Sequence, residues 1–174
     1  ETYLDCRIKG KFRNKTSKFR LTNPICVGDL VEVDTDKNED AGVISKLFDR
    51  RNYIVRRSSQ AKKVSLLASN IDQLILIATI KKPRTSYGFI DRVLAGSAFY
   101  NIPCVILFNK IDLYNKQDLN SLDEYMATYS KIGYSVQKVS CQTGENMTSV
   151  KRVVKGKTSL VAGHSGVGKS SMLN

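Results

Sequence analysis

A short apolar run that leads directly into a glycine-rich segment restricts this chain to few folds. Residues 159–162 have the pattern of a buried strand, and residues 163–171 read Gly-His-Ser-Gly-Val-Gly-Lys-Ser-Ser. Between a strand and a helix of a parallel α/β sheet, such a loop wraps its backbone N–H groups around phosphates. We expect Lys169 to bridge the terminal phosphates and the Ser170 hydroxyl to ligate magnesium, and these two are the candidate catalytic residues. The other predicted contacts of this phosphate loop are Gly163, Ser165, Gly166, Val167, Gly168 and Ser171.

A second motif predicts which base the nucleotide carries. Asn109, Lys110, Ile111 and Asp112 directly follow residues 104–108, an apolar run that we interpret as a buried strand. Ligands of open parallel sheets bind at the carboxyl ends of strands, so we expect this motif at the nucleotide. The Asp112 carboxylate suits the ring N–H and exocyclic amine of guanine, which adenine lacks at those positions. Each of these groups left unpaired would cost about 1–3 kcal/mol, which is enough to reject ATP.

Neighbouring residues have supporting roles in the same predicted site. Asn109 is expected to tie the base-reading segment to the phosphate loop and to meet the base edge, while the Lys110 stem lies along the base plane. The segment that begins Ser140 and Cys141 follows the next predicted strand. A backbone N–H there, that of Cys141, could reach the guanine carbonyl.

The two motifs occur in the reverse of their usual order, in which the phosphate loop comes first. This inversion predicts a circularly permuted P-loop domain. Strands are predicted over residues 71–80, 104–108, 135–139 and 158–162, with helices near residues 90–100, 119–132 and 147–154. The alternation predicts a parallel sheet covered by helices. Only a short helix can follow the phosphate loop before residue 174, so we expect the domain to be incomplete at its C-terminus.

The N-terminal part of the sequence has a different pattern, with short alternating runs separated by turn residues. Strands are predicted over residues 3–13, 19–21, 30–33, 43–48 and 53–55, with turns at Asn23-Pro24 and Gly28-Asp29. Five short strands in this space predict an OB-like antiparallel barrel. We therefore assign residues 1–62 to an OB-like RNA-binding barrel and residues 63–174 to a partial, circularly permuted GTPase domain.

The charge of the chain favours a polyanionic partner. The formal net charge is +12 and the pI is about 9.6. Because no long apolar run or signal peptide is present, we expect nucleic acid and no membrane. Alternating basic residues from position 7 to 13 would share one face of a strand, although a solvated face that keeps the protein soluble is the alternative. The predicted RNA-binding residues are Arg7, Lys9, Lys11, Arg13, Arg56 and Arg57.

The four cysteines and the single histidine predict no metal site. The cysteines are scattered without a C-x-x-C pair, so we expect them to be reduced and structural. His164 lies early in the phosphate loop, where a side chain points away from the attacking water, which argues against a catalytic role. Gly166 stands where some potassium-activated GTPases carry asparagine, so this position gives no support for a potassium requirement through a side chain.

These motifs resemble those of the circularly permuted bacterial family called ribosome-small-subunit-dependent GTPase A. The resemblance runs nearly end to end, and besides the two motifs it includes Val27-Gly28-Asp29, Arg56-Arg57, Asn70-Ile71-Asp72, Phe89-Ile90-Asp91-Arg92, Thr143-Gly144-Glu145 and Gly156-Lys157-Thr158. It implies a cytoplasmic, monomeric GTPase that uses GTP, GDP and Mg²⁺ and engages the small ribosomal subunit and its rRNA late in maturation. It further implies slow hydrolysis that the subunit stimulates. The switch segments and a Zn²⁺-binding domain would lie beyond residue 174.

Two other functions are compatible with the same residues. One is an RNA-binding switch that holds GTP or GDP without significant hydrolysis. The other is an ATP-dependent kinase or ATPase with an accessory barrel, which competition of ATP against labelled GTP would reveal.

Overall fold

A computed structural model describes residues 3–10, 20–21, 23–35, 41–57 and 63–173 of the chain. Residue contacts divide the chain into two compact units, Glu1–Ile71 and Asp72–Asn174. The predicted RNA-binding residues Lys11 and Arg13 lie outside the described residues, and the side chain of Arg57 is not described either.

Within the described residues, the first unit has six short strands in two three-stranded sheets. They are β1 Cys6–Ile8, β2 Arg20–Leu21, β3 Val31–Asp34, β4 Gly42–Leu47, β5 Tyr53–Arg57 and β6 Lys63–Ser69. The sheet orders are β1-β4-β3 and β2-β6-β5. Strands β3 and β4 pair antiparallel, as do β5 and β6, whereas β1 runs parallel to β4 and β2 parallel to β6. The pairs β3–β4 and β5–β6 are therefore antiparallel, as predicted. The parallel pairings of β1 and β2 make both sheets mixed.

Strand β6 belongs to the first unit, although sequence analysis began the second domain at residue 63. It pairs with β5 from Tyr53 opposite Ser69 to Arg57 opposite Val64. Its residues Leu66 and Ala68 are buried. This pairing holds β6 against β5, and residue contacts group β6 with the first unit, which runs to Ile71.

A buried ion pair organises the turn that precedes β3. The Asp29 carboxylate accepts from Arg50 Nε at 2.6 Å and Nη2 at 2.7 Å, from Ser69 Oγ at 2.5 Å and from Cys26 N–H at 2.9 Å. Burial alone would raise the pKa of Asp29, but the bonds from Arg50, Ser69 and Cys26 outweigh it and hold the pKa at about 2. Gly28 has φ of +90°, and a Cβ there would come within 3.0 Å of the Ser69 carbonyl. The turn can approach β6 this closely because glycine occupies that position.

The second unit contains the parallel sheet that the sequence predicts. Its strands are β7 Gln73–Ala78, β8 Cys104–Phe108, β9 Ser135–Lys138 and β10 Ser159–Ala162, in the order β10-β7-β8-β9. All three pairings are parallel. Every residue of β7 and β8 is buried, as expected for strands covered on both faces. The last strand in the chain therefore lies beside the first strand of the sheet, which agrees with a permuted connectivity.

Helices cover the two faces of this sheet. They are α1 Tyr87–Phe99, α2 Lys116–Lys131, α3 Met147–Val154 and the short α4 Lys169–Leu173, with a 3-10 helix at Ile111–Leu113. The side chain of Ser86 caps α1, and Asn115 with Asp118 forms a capping box at the start of α2. Val150 of α3 joins a core that also contains Ile75, Ile77, Val105, Leu107, Val139 and Val167.

Candidate nucleotide-binding site

Loops from all four parallel strands meet at one edge of the second unit. Strand β7 leads into residues 79–86, β8 into residues 109–112, β9 into residues 139–146 and β10 into the phosphate loop, residues 163–168. Because neighbouring parallel strands end at the same edge, segments far apart in the chain become neighbours here. This edge contains both predicted nucleotide motifs.

Two glycines allow the phosphate loop to pack closely. Gly163 has φ of +152°, and a Cβ there would lie 2.5 Å from the Ile77 carbonyl oxygen. Gly168 has φ of +100°, and a Cβ there would come within 3.0 Å of Asn109 Nδ2. A side chain at Gly163 would displace β7, and one at Gly168 would displace Asn109. These two glycines are therefore required by the packing of the loop, in addition to any role in binding phosphate.

Asn109 joins the base-reading segment to the phosphate loop. Its side chain is only 2% exposed. Nδ2 donates to the Val167 carbonyl at 2.9 Å, and Oδ1 accepts from the Cys141 N–H at 3.1 Å. The Cys141 N–H that sequence analysis assigned to the guanine carbonyl is therefore bonded to Asn109, and its role toward a base stays a prediction.

Lys110 contacts the phosphate loop with its ammonium group. Its backbone is left-handed, with φ of +67°. Nζ donates to the Gly166 carbonyl at 2.6 Å and to the Lys82 carbonyl at 2.7 Å. The side chain therefore crosses from the base-reading segment to both the phosphate loop and the β7–α1 loop.

Asp112 is oriented by Ser140. The Ser140 hydroxyl donates to Asp112 Oδ1, and Ser140 Oγ in turn accepts from the Thr143 N–H at 3.1 Å. Ser140 is fully buried, whereas Asp112 is exposed. One carboxylate oxygen is thus fixed by the protein while the side chain remains accessible to a ligand.

A cavity of about 280 Å³ opens between these segments. Its walls combine an amide, an ammonium group and a carboxylate with backbone from the phosphate loop. The lining residues are Asn109, Lys110, Asp112, Leu113, Cys141, Gln142, Gly168 and Ser171. This cavity has the donors and acceptors to recognise the edge of a purine next to the loop that would hold its phosphates.

The other residues of the glycine-rich segment 163–171 differ in the group that each can present to a nucleotide. Lys169 Nζ donates to the carbonyls of Gly163 at 3.0 Å and His164 at 2.6 Å, so the ammonium lies against the loop backbone. Ser165, Ser170 and Ser171 are exposed. The Val167 side chain is part of the core beneath the loop, so only its backbone can face a nucleotide.

The His164 ring packs against Phe89 near the start of α1. The two ring centroids are 3.8 Å apart with an interplanar angle of 30°. This contact explains why a histidine is accommodated early in the loop.

Tyr114 and Lys82 lie outside the predicted motifs, and both support the site. The Tyr114 hydroxyl donates to the Asn109 carbonyl, and the Lys82 carbonyl accepts from Lys110. Tyr114 lies just beyond the motif, so its proximity in the chain could have suggested it. No sequence signal identifies Lys82, because its contribution is a backbone oxygen.

The strand predicted over residues 3–13 is shorter than expected. Of the alternating basic residues predicted along it, Arg7 lies on β1 and Lys9 lies beyond the end of this strand at Ile8. Lys9 forms an ion pair with Asp34 at 2.9 Å. Arg7 and Arg56 are exposed on β1 and β5. Their roles in RNA binding remain predictions.

The described residues contain neither a metal-binding cluster nor a membrane-spanning helix. The described part of the chain has no group of three or more His, Cys, Asp or Glu side chains arranged to hold a metal ion. No helix within it is both long enough and apolar enough to cross a membrane.

Comparison with known proteins assigns both units to one family. Residues 47–174 match the RsgA GTPase family, and residues 1–44 match the RsgA N-terminal domain. The small ribosomal subunit biogenesis GTPase RsgA of Bacteroides fragilis is 45% identical over 98% of this chain and 54% of its own length. The protein of the same name from Flavobacterium psychrophilum is 43% identical over 99% of this chain and 53% of its own length. The chain thus spans about half the length of the curated relatives it matches.

Solved structures support the same family assignment. YjeQ from Thermotoga maritima matches with a TM-score of 0.77 at 37% identity, covering 97% of this chain and 55% of that one. YloQ, described as a circularly permuted GTPase, matches with a TM-score of 0.69 at 28% identity, covering 98% of this chain and 54% of that one. With the inverted motifs joined at one sheet edge and the greater part of the sequence matched, the chain belongs to the RsgA GTPase family.

Proposed function

We propose that this protein binds GTP and GDP and hydrolyses GTP during late maturation of the small ribosomal subunit, which stimulates the reaction. The observation that carries the proposal is the Asn109 side chain, which joins the base-reading segment to the phosphate loop beside a cavity of about 280 Å³. A nucleotide held there would meet both motifs at once. The printed name of the relatives, small ribosomal subunit biogenesis GTPase, supports the same partner for this chain.

Guanine specificity is proposed to depend on Asp112. Ser140 fixes one oxygen of this carboxylate, which leaves the group oriented to accept from the guanine ring N–H and amine. Adenine offers no donor pair at this position, so ATP would leave the carboxylate unpaired at a cost of about 1–3 kcal/mol. Backbone N–H groups of Ser165, Gly166, Val167 and Gly168 would surround the phosphates.

Lys169 and Ser170 are proposed to act on the triphosphate. The Lys169 ammonium lies at the mouth of the loop backbone and would bridge the terminal phosphates, while the exposed Ser170 hydroxyl would ligate Mg²⁺. Magnesium would supply positive charge next to the transferred phosphate. We further propose a zinc-binding C-terminal domain, cytoplasmic location and a monomeric state, all of which rest on the family resemblance.

RNA is the proposed ligand of the first unit. The net charge of +12 and the exposure of Arg7 and Arg56 support contacts with phosphates of ribosomal RNA. Arg57, Lys9, Lys11 and Arg13 are proposed to add to this surface. The Lys9–Asp34 ion pair is exposed on both sides, so a phosphate could compete for the ammonium.

GTP turnover by the full-length chain, with and without purified small ribosomal subunits, tests the proposal. We expect strong stimulation by the subunit and its loss in Lys169→Ala, which removes the ammonium from the phosphate loop. GTP binding without turnover in either condition would contradict hydrolysis and indicate a nucleotide-dependent RNA-binding switch. Equal competition by ATP would contradict the assignment of the base.

A further inference from the structure

Tyr114 connects two loops of the nucleotide site through its hydroxyl group. It follows the 3-10 helix Ile111–Leu113, and its side chain is half-buried. The hydroxyl accepts from the Ile80 N–H at 2.8 Å and donates to the Asn109 carbonyl at 2.7 Å. Burial is the main reason that the pKa of Tyr114 rises to about 12, so the hydroxyl keeps its proton at neutral pH and remains a donor.

The anchor on the β7 side of this bridge is itself held in place. The Thr79 N–H donates to Thr85 Oγ1 at 3.1 Å, and the Thr85 N–H donates to the Thr79 carbonyl at 2.8 Å. Lys81 forms an ion pair with Asp118 at the start of α2. The bonds between Thr79 and Thr85 therefore hold the loop that contains Ile80. Because the Tyr114 hydroxyl is bonded to both the Ile80 N–H and the Asn109 carbonyl, it fixes Asn109 relative to this loop.

The carbonyl that Tyr114 holds belongs to the peptide between Asn109 and Lys110. Lys110 has φ of +67°, a left-handed conformation that costs a residue with a Cβ about 1–2 kcal/mol unless its surroundings enforce it. Rotation of this peptide would redirect Lys110 away from Gly166 and would also turn the segment that presents Asp112. Asn109 N–H is already bonded to Ala78 at 2.9 Å, so the Tyr114 bond fixes the other side of the same residue.

We propose that Tyr114 is a positioning residue for guanine recognition, acting by holding the Asn109–Lys110 peptide in the orientation that aims Lys110 and Asp112. This inference rests on the proposed binding of guanine nucleotides. Tyr114 is absent from the residues that line the cavity, so its effect on affinity is transmitted through Asn109.

The test compares Tyr114→Phe with the unsubstituted full chain for binding of GDP and of inosine diphosphate, which lacks only the exocyclic amine of guanine. We expect GDP affinity to fall about five- to tenfold, because two partly buried hydrogen bonds are lost. We also expect the preference for GDP over inosine diphosphate to shrink by about threefold, because a displaced Asp112 meets the amine less well. A residue with only a structural role would leave this preference unchanged.

Tyr129→Phe is the matched control. Tyr129 is a buried tyrosine whose hydroxyl also makes a polar contact, since it donates to Asp91 Oδ1 at 2.9 Å, away from the nucleotide loops. It should lower thermal stability comparably while leaving GDP affinity and the preference unchanged. If Tyr114→Phe behaved like this control, the proposal would be overturned while GDP binding itself stood. If the unsubstituted chain bound no GDP, both the proposed function and the positioning role would fail.

If Tyr114→Phe lowers the folded fraction, a second variant tests the positioning role of Tyr114. Incorporation of para-aminophenylalanine at position 114 retains a donor toward the Asn109 carbonyl, while its amine is a weaker acceptor for the Ile80 N–H. We expect GDP affinity within about threefold of the unsubstituted chain and a preference over inosine diphosphate closer to that of the unsubstituted chain than to that of Tyr114→Phe. A preference as low as that of Tyr114→Phe in this folded variant would refute the transmission through Asn109.

Discussion

Replacing Gly168 with alanine tests whether the tight packing of the phosphate loop on Asn109 holds the site together. The new Cβ would come within 3.0 Å of Asn109 Nδ2, so the amide must move. Its bonds to the Val167 carbonyl at 2.9 Å and from the Cys141 N–H at 3.1 Å would then be lost. Since Asn109 is only 2% exposed, water cannot readily replace them.

The destabilisation expected from Gly168→Ala has two parts, the backbone strain of alanine at position 168 and the loss of the Asn109 hydrogen bonds. Alanine at φ of +100° costs about 1–2 kcal/mol in any surroundings. Displacing Asn109 adds about 2–4 kcal/mol for two bonds broken in a buried setting. Gly133→Ala is the matched control, because Gly133 has φ of +94° and no atom within 4 Å of its Cβ position. The difference between the two variants is therefore the contribution of the Asn109 contact.

The assay is native-state hydrogen exchange of amides in β7 and β8, which reports the unfolding free energy of the second unit alone. GDP affinity measured alongside should fall in Gly168→Ala and stay unchanged in Gly133→Ala. Equal destabilisation by the two substitutions, with GDP affinity intact in both, would refute the reasoning that Asn109 and Gly168 are tightly coupled.

Three further predictions concern the base, the ion pair and the basic surface. Asp112→Asn replaces an acceptor with a donor, so competition binding should show loss of GTP and gain of xanthosine triphosphate; unchanged guanine affinity would contradict the role of Asp112. The folded-state pKa of Asp29 is about 2 against an ordinary 3.8, so its stabilisation of about 2 kcal/mol should be complete above pH 4 and disappear as the pH falls towards 2. Urea unfolding across this range should show that Asp29→Asn lacks that dependence, and an identical dependence in both proteins would contradict it. RNA binding should weaken, with a salt dependence flattened by about three counterions, when alanine replaces Lys9, Lys11 and Arg13 together. An unchanged salt dependence of RNA binding would indicate that these residues keep the protein soluble and do not contact RNA.

In the second unit, the bounds of some strands and helices were predicted correctly because they depend on neighbouring residues alone. β8 Cys104–Phe108 and α3 Met147–Val154 have the bounds read from the sequence, because continuous apolar runs and helical periodicity are properties of neighbouring residues. The first unit was harder. β6 was missed and β1 is shorter than predicted, because the partners with which a strand pairs are not encoded in its own periodicity.

The two nucleotide motifs, their inverted order and the strand that precedes each can be recognised in the sequence, because they are contiguous patterns with a fixed chemical purpose. Which of their groups contact one another follows from the fold. Asn109 meets Val167, and Lys110 meets Gly166 and Lys82, because parallel pairing brings the ends of β7, β8 and β10 to one edge. The Tyr114 bridge likewise depends on a backbone N–H and a carbonyl whose positions follow from packing rather than from residue type.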